Sequence, residues 1–524
     1  MKSSTVRTYT TVHTWTGLIA GFGLFIAFFA GALTVFHHDI ATWQSPPWRM
    51  TADADVTPDQ LAQRLLQAHP DARKDFGIVL APPGVARPPY AYWPEGGEER
   101  FATASAIDQP TEDATRGNLA DFVYALHDSL GFPTVGMYFM GIVSILYGLA
   151  LFSGLIIHLP HLVRDLFAMR SGKNLKRLWQ DAHNVIGVLS LPFHLIFAMT
   201  GALLCLFAIT FATLNVVAFD GKLFDAFGKA IATAPVIAPS GEAAPMLTLD
   251  ELMQRARVQA LKQGVTSFEP DYVHFSNYGD RKAVVEVRGL SQHTLGTYGT
   301  VAMNAVDGSV LETHVGKAQN TNGITNSAMY SLHFGSFGGR TVQWLYFVLG
   351  LMGAFLFYSG NLLWIESRRK RRMEDQPMKT RIMASATVGV CIGSCLGIAA
   401  SFGATMLADV YGADAGLWQR VACYGFVIAS AIYAWFRPLP RATRDLLWLN
   451  AVLYVALGAI DLVRNLQVWT QPWTPQASAV LGVDLTGIAM GIGFAFLARA
   501  SWRRATQGDP NSVWSLDATT APAT

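Results

Sequence analysis

The sequence predicts a mainly α membrane protein of about eight transmembrane helices carrying two α+β domains outside the bilayer. Three observations lead there. Of 524 residues, 51% are hydrophobic and only 15% charged, where a soluble chain carries about a quarter charged. The apolar residues come in runs of roughly twenty with few or no charges, enough to cross a hydrocarbon core of about 30 Å. A unit of helix, domain and helix then occurs twice along the chain. The net charge of +2 is too small to imply a nucleic-acid partner.

Eight spans are predicted, at 15–36, 136–159, 185–214, 342–365, 383–408, 418–436, 446–468 and 478–498. Short segments rich in Lys and Arg stay in the cytoplasm. Such segments follow span two (Arg164, Arg170, Lys173, Lys176, Arg177), span four (ESRRKRR, then Lys379 and Arg381), span six (Arg437, Arg441, Arg444) and span eight (Arg499, Arg503, Arg504). The opposite turns, 409–417 and 469–477, contain neither residue. Lys2 and Arg7 precede span one. Both termini are therefore expected in the cytoplasm, in a multi-pass arrangement. Span one is long and no small-residue cleavage site follows it, so it reads as an anchor rather than a signal peptide. Trp15, Trp43, Trp48, Trp344, Trp364, Trp469 and Trp473 near span ends fit interfacial anchoring.

The organisation follows: 1–37 first transmembrane helix, 38–130 first outer domain, 131–215 spans two and three with their loop, and 216–335 second outer domain. Residues 336–372 form span four and a basic loop, 373–500 a C-terminal four-helix block, and 501–524 a cytoplasmic tail. In the first outer segment TPDQLAQRLLQAH reads as an amphipathic helix, followed by the strand-like FGIVLA and PYAYWP. In the second, TLDELMQRARVQALKQG is the helix, and DYVHFSN, KAVVEVRG and TVAMNAVDGSVLE are strand-like, with Asp307-Gly308 suited to a tight turn.

The duplication is visible in particular residues. HTWTGLIAGFGLFIAFFAGAL from His13 aligns without gaps on HNVIGVLSLPFHLIFAMTGAL from His183. Gly17 meets Gly187, and Gly31-Ala32-Leu33 meets Gly201-Ala202-Leu203. YALH ending at His127 aligns on YSLH ending at His333, and Ser153-Gly154 and Ser359-Gly360 follow at the same distance. Two parallel copies imply a pseudo-two-fold axis along the membrane normal, with a cofactor site between the halves. Spans five to eight lie outside the repeat.

Four histidines coincide with it. His13 and His183 open spans one and three on the cytoplasmic side, and His127 and His333 precede spans two and four on the outer side. Facing imidazoles on neighbouring helices suit bis-histidine ligation of a b-type haem; the plain alternative is packing or capping at helix ends. His194 follows His183 by 11 residues, which at 3.6 residues per turn returns to nearly the same face about 16 Å deeper. It is a further ligand position within the membrane, although its counterpart in the first repeat is Leu24. His37, His38, His158 and His161 sit at span boundaries; any of them could ligate a haem, but such boundary residues are more often solvated. His69, His274, His293 and His314 lie in the outer segments and are expected to be ordinary surface residues, with contact to a metal-bearing ligand as the alternative. The four cysteines, Cys205, Cys391, Cys395 and Cys423, all lie in apolar runs as packing residues. No CxxCH occurs, so attachment of c-type haem is not supported.

Other features are mostly structural. Gly389, Gly393 and Gly397 form a small-residue ridge, as do Gly487 and Gly491, and close helix packing explains both. Pro192 is expected to kink span three. Asp461 and Arg464 are i,i+3 neighbours in span seven, and Asp484 lies in span eight; they suit an ion pair or a proton or quinol role. There is no GxGxxG after a strand and no P-loop. A nicotinamide or flavin would have to sit on a separate cytoplasmic donor protein, or the donor is a quinol.

The HxWxG start of span one, the LH before spans two and four, the HNxxG before span three and the two inserted outer domains resemble the PepSY-associated transmembrane family. The resemblance covers about residues 1–372. That family includes iron-regulated inner-membrane proteins and ferric-siderophore reductases. It implies periplasmic PepSY-like domains and a haem b-dependent reductase of the bacterial inner membrane, with two haems. Electrons would cross the bilayer to iron held by a ferric siderophore or other iron chelate. His13 and His183 then become inner haem-iron ligands and His127 and His333 outer ones. The competing expectation is a non-enzymatic PepSY regulator whose outer domains hold a peptide or peptidase; it predicts no cofactor and tolerance of histidine replacement. A transporter of the chelate would need a polar path, for which the sequence offers only a few buried charges.

Overall fold

The computed structural model describes residues 3–44, 56–80, 88–110, 118–159, 175–291, 294–370, 372–373, 375–466 and 475–516. Among them eight helices are long and apolar enough to cross a membrane: Ser4–Thr34, Val135–His158, Leu191–Val217, Gly339–Ser367, Met378–Tyr411, Ala415–Phe436, Leu439–Arg464 and Ala477–Gln507. All eight predicted runs are matched, and the chain is a multi-pass membrane protein. Trp48, Trp469, Trp473, His161, His293 and the loop cations Arg164, Arg170 and Lys173 lie outside the described residues.

Two boundaries moved for physical reasons. The first helix starts twelve residues before the apolar run, because its threonines bury their polarity in the helix itself. The hydroxyls of Thr8, Thr10, Thr11, Thr14 and Thr16 each donate to a carbonyl four residues back. The kink expected at Pro192 is a full interruption. Helix Leu175–Leu189 ends, Ser190 forms a turn, and a new helix runs Leu191–Val217. Pro192 has no N–H for the Val188 carbonyl, so the ladder cannot continue through it. Just before the break, the Ser190 hydroxyl donates to Ile186 O at 2.5 Å beside the backbone N–H of Ser190, which reaches the same carbonyl at 3.0 Å.

The chain forms two compact units: Met1–Gln44, Gly117–Phe207 and Leu345–Thr524 in one, and Ser45–Arg116 with Ala208–Trp344 in the other. In the first, small residues set helix approach. A Cβ on Gly353 would lie 2.3 Å from the Phe28 ring, and one on Gly350 would lie 2.9 Å from Ala32 Cβ. The ridge of the fifth span packs on the sixth: Gly389 against Ala431, Gly393 against Ser430 and Gly397 against the Cys423 carbonyl. All four cysteines are buried and free. A Cβ at Gly397 would stand 2.5 Å from that carbonyl oxygen, a backbone atom on a rigid helix. Gly397→Val is therefore expected to destabilise the block by about 1–3 kcal/mol, read as a lower thermal midpoint in detergent. The polar groups of spans seven and eight are engaged differently from the expected Asp461–Arg464 pair. Arg464 bonds Asp409 at 3.2 Å, Asn465 donates to Asp461 at 2.6 Å, and the Trp43 indole donates to Asp484 at 2.8 Å.

The second unit is one domain. Its seven-stranded antiparallel sheet has the order β3-β2-β1-β4-β5-β6-β7. The strands are β1 Asp75–Val79, β2 Tyr90–Glu95, β3 Glu98–Ala102, β4 Phe268–Ser276, β5 Val284–Ser291, β6 Tyr298–Asn304 and β7 Val310–His314. The first outer segment supplies β1–β3 and the second β4–β7. β1 pairs with β4 in the register Gly77↔His274, which joins the halves edge to edge. Two separate α+β domains were expected. Each alone would leave its first strand as an open edge, and pairing β1 with β4 removes both. Phe76, Ile78, Trp93, Val273, Phe275, Val285, Val287 and Met303 form a single buried core with Leu61 and Leu65 of helix Pro58–Ala68 and Leu249 and Leu252 of helix Leu249–Lys262. The two helices start alike, with the side chains of Thr57 and Thr248 accepting from the backbone N–H of Gln60 and Glu251. The predicted Asp307-Gly308 turn is present between β6 and β7, with Gly308 at φ +71° and the Asp307 carboxylate accepting from Ser309 N.

Candidate functional site

In the first unit, the first span and helix Leu175–Leu189 bring two repeat histidines together. The rings of His13 and His183 lie 6.2 Å apart between centroids, with planes at 83°. His13 Nδ1 bonds Ala150 O at 2.8 Å. His183 Nδ1 bonds Leu356 O and Ser359 Oγ, both at 3.1 Å. A carbonyl can only accept, so in each ring Nδ1 carries the proton and Nε2 keeps its lone pair. This is the arrangement in which a second partner fixes the tautomer of a metal-binding imidazole.

The duplicated Ser-Gly pairs explain why both rings sit alike. Ala150 and Leu356 lie three residues before Ser153 and Ser359, whose hydroxyls donate to those same carbonyls at 3.1 and 2.9 Å. The glycines that follow leave room for the rings. A Cβ on Gly154 would lie 3.0 Å from His13 Cε1, and one on Gly360 3.6 Å from His183 Cε1. A metal–imidazole bond of about 2 Å on each side, plus about 1 Å from nitrogen to ring centre, separates two centroids by about 6 Å. The observed 6.2 Å equals that separation, and it also falls within the range of direct edge-to-face ring packing.

His194 lies deeper on the third span and is fully buried. Its Nδ1 is 2.5 Å from the Tyr147 hydroxyl, and its Nε2 is buried with no hydrogen-bond partner among the described residues. Its ring meets Phe28 at 5.7 Å and Phe193 at 5.6 Å. Phe28 in turn touches Tyr147, Phe193, Phe197 and Phe357, giving an aromatic cluster in the middle of the bundle. Neither Tyr147 nor Phe28 was singled out from sequence. The signal was weak: both sit in apolar runs where aromatic residues are ordinary packing.

His127, on helix Leu119–Ser129, has Nδ1 2.7 Å from Ala27 O. The ring lies over Gly31, where a Cβ would come within 2.6 Å of Nδ1. Burial pushes the His127 imidazole below its usual pKa, which keeps it neutral. His333 belongs to the second unit, on helix Thr321–Phe334, with its ring 5.3 Å from Phe334. At the boundaries, His37 Nε2 bonds Asp121 at 2.8 Å and its ring meets His38. In the second unit His69, His274 and His314 pair with Glu95, Asp75 and Glu312.

The uncharacterized protein PA4219 of Pseudomonas aeruginosa is 26% identical over 403 residues, taking in 74% of this chain and 96% of that relative. The PepSY-associated TM region matches residues 10–367, well over half of the sequence and all of the duplicated part. The chain belongs to the PepSY-associated transmembrane family.

Proposed function

We propose that this protein is a haem b-containing reductase of the bacterial inner membrane. It passes electrons from a quinol or a cytoplasmic donor protein to ferric iron held by a siderophore or other chelate in the periplasm. The observation that carries this reading is the His13–His183 pair, whose spacing and Nδ1 bonds leave two Nε2 lone pairs for one iron. The donor set fits: imidazole is a good iron ligand, and each ring has the carbonyl partner that strengthens it as a donor. When bound, haem supplies a one-electron carrier whose potential is set by its axial ligands.

The chain's own residues do the rest. Ala150 O and Leu356 O fix His13 and His183 in rotation and in the Nδ1–H tautomer. Ser359 gives His183 a second acceptor that His13 lacks, so the two imidazoles differ in donor strength. The aromatic cluster around Phe28 excludes water from the centre of the bundle. His194 offers a further ligand nitrogen there, and His127, in the same unit, is the candidate ligand of a second haem. The basic loops assign both termini to the cytoplasm, which puts the sheet domain in the periplasm where the chelate arrives. Fe(II) binds hard-oxygen chelators weakly, so reduction frees the metal.

The test uses purified protein reduced with dithionite, freed of excess reductant and mixed anaerobically with a ferric siderophore. The reduced b-haem band is expected to decay while Fe(II) appears in equal amount in a ferrozine trap. A reduced spectrum that persists in the presence of the chelate, or protein without haem after expression with ample haem supply, sinks the reductase.

A further inference from the structure

The sheet domain carries a second group of donors that the haem reading does not use. Gly77 of β1 pairs with Tyr92 on one side and His274 on the other. Tyr272 is two residues before His274, and Asp75 two before Gly77, so all four side chains occupy the sheet face opposite the core. The hydroxyls of Tyr92 and Tyr272 are hydrogen-bonded to each other. Their rings stack at 5.8 Å with planes 11° apart, and the His274 ring stacks on both, at 6.1 and 6.5 Å. His274 Nε2 lies 2.6 Å from Asp75 Oδ1. Gly77 makes this convergence possible: a Cβ there would stand 2.4 Å from Tyr92 Cε1 and 2.8 Å from Tyr272 Cε2. The cluster is open, with His274 and Asp75 side chains 23% and 50% exposed.

We infer that Tyr92, Tyr272, His274 and Asp75 form a ferric-ion site on the sheet domain, with the two phenols as principal ligands. Among the described residues no three His, Cys, Asp or Glu side chains gather as a metal site, so the phenols are what makes this set a ligand cluster. Two phenolate oxygens, a carboxylate and one imidazole are a hard, oxygen-rich set. That favours a small trivalent cation over soft metals, and tyrosine is an established iron ligand. The surroundings also select a cation. Tyr92 faces Asp75, Glu99 and Glu286, and Tyr272 faces Glu286 and Arg288. Arg288 is held by Asp271 at 2.9 and 3.2 Å. An anionic ligand would meet several carboxylates and one guanidinium that is already paired.

Binding is an exchange of ligands without electron transfer. Two phenol O–H bonds break and their protons leave to water, bonds form from iron to the two phenolates and to Asp75 and His274, and each displaces a bond from iron to water or to the delivering chelate. The inference goes beyond the haem reading and does not depend on it. It gives the extramembrane domain a role in holding the metal itself.

The experiment titrates the purified full-length protein with Fe(III) nitrilotriacetate, and separately with Ga(III) nitrilotriacetate, which is redox-inert. Iron is expected to give a phenolate-to-iron absorption band and a rhombic high-spin ferric resonance. Gallium is expected to give an ultraviolet tyrosinate difference spectrum clear of any haem band. Tyr92→Phe and Tyr272→Phe keep the ring stack and are each expected to weaken both signals at least about tenfold in affinity, leaving the haem spectrum unchanged. Absence of a gallium difference spectrum in the wild type, or its full retention in both variants, overturns the site. Both signals in protein that holds no haem would support the site while sinking the reductase.

Discussion

In the proposed reductase, replacing His183 with alanine is expected to remove about half of the b-type haem bound by the purified protein, and His13→Ala is expected to do the same. In that reading the two imidazoles would share one iron, so loss of either would leave it with one protein ligand. The remaining ring cannot compensate, because its Nδ1 is tied to a carbonyl on another helix. A second haem that takes His127 as a ligand would stay, which sets the residual signal. A His183→Ala, His127→Ala double variant should then hold almost none. Haem is counted per protein as the pyridine complex, with His314→Ala in the sheet domain as a control expected to bind normally. Full haem content in both His13 and His183 variants would remove the pair from any redox role. No haem in the wild type would remove the reductase reading altogether.

The membrane part of this fold was legible because hydrocarbon imposes a length and a composition, and each of the eight runs met both. The repeat was legible for a different reason. His13, Ser153-Gly154 and their partners His183 and Ser359-Gly360 recur, and each half holds one imidazole the same way. What stayed hidden depends on contacts distant in sequence. β1 and β4 are about 190 residues apart, and nothing in either strand announces its partner. A hint was present in the matching helix starts TPDQL and TLDEL, which place the two sheet halves in the same repeat as the spans. The His194–Tyr147 contact was hidden because it breaks the repeat. Tyr147 stands six residues before Ser153, and six before Ser359 stands Gly353. His194 is likewise matched by Leu24. One half thus gains a buried polar pair, while in the other the absent side chain at Gly353 admits Phe28. A symmetry argument alone could not have produced that asymmetry.

The same duplicated framework yields unequal results for one substitution. Gly154→Ala places a methyl group 3.0 Å from His13 Cε1 and 3.1 Å from Nδ1, tighter than ordinary contact, so the ring has to move by a few tenths of an ångström. The ring resists, because Nδ1 is held at 2.8 Å by Ala150 O on the same helix as the new methyl. Relief must come by stretching that bond or by turning Nε2 away from His183. Gly360→Ala places its methyl 3.6 Å from His183 Cε1, an ordinary van der Waals distance. Gly154→Ala is expected to weaken haem binding by about tenfold or more, the usual cost of disturbing the groups that orient a metal ligand, and to shift the midpoint potential of what remains. Gly360→Ala is expected to match the wild type in both haem content and potential. Alanine favours a helix over glycine at both positions, so helix stability cannot produce the difference. Equal behaviour of the two variants would mean that the Ser-Gly pairs serve helix packing rather than the histidines. A loss confined to Gly154→Ala would tie the ring position of His13 to the metal.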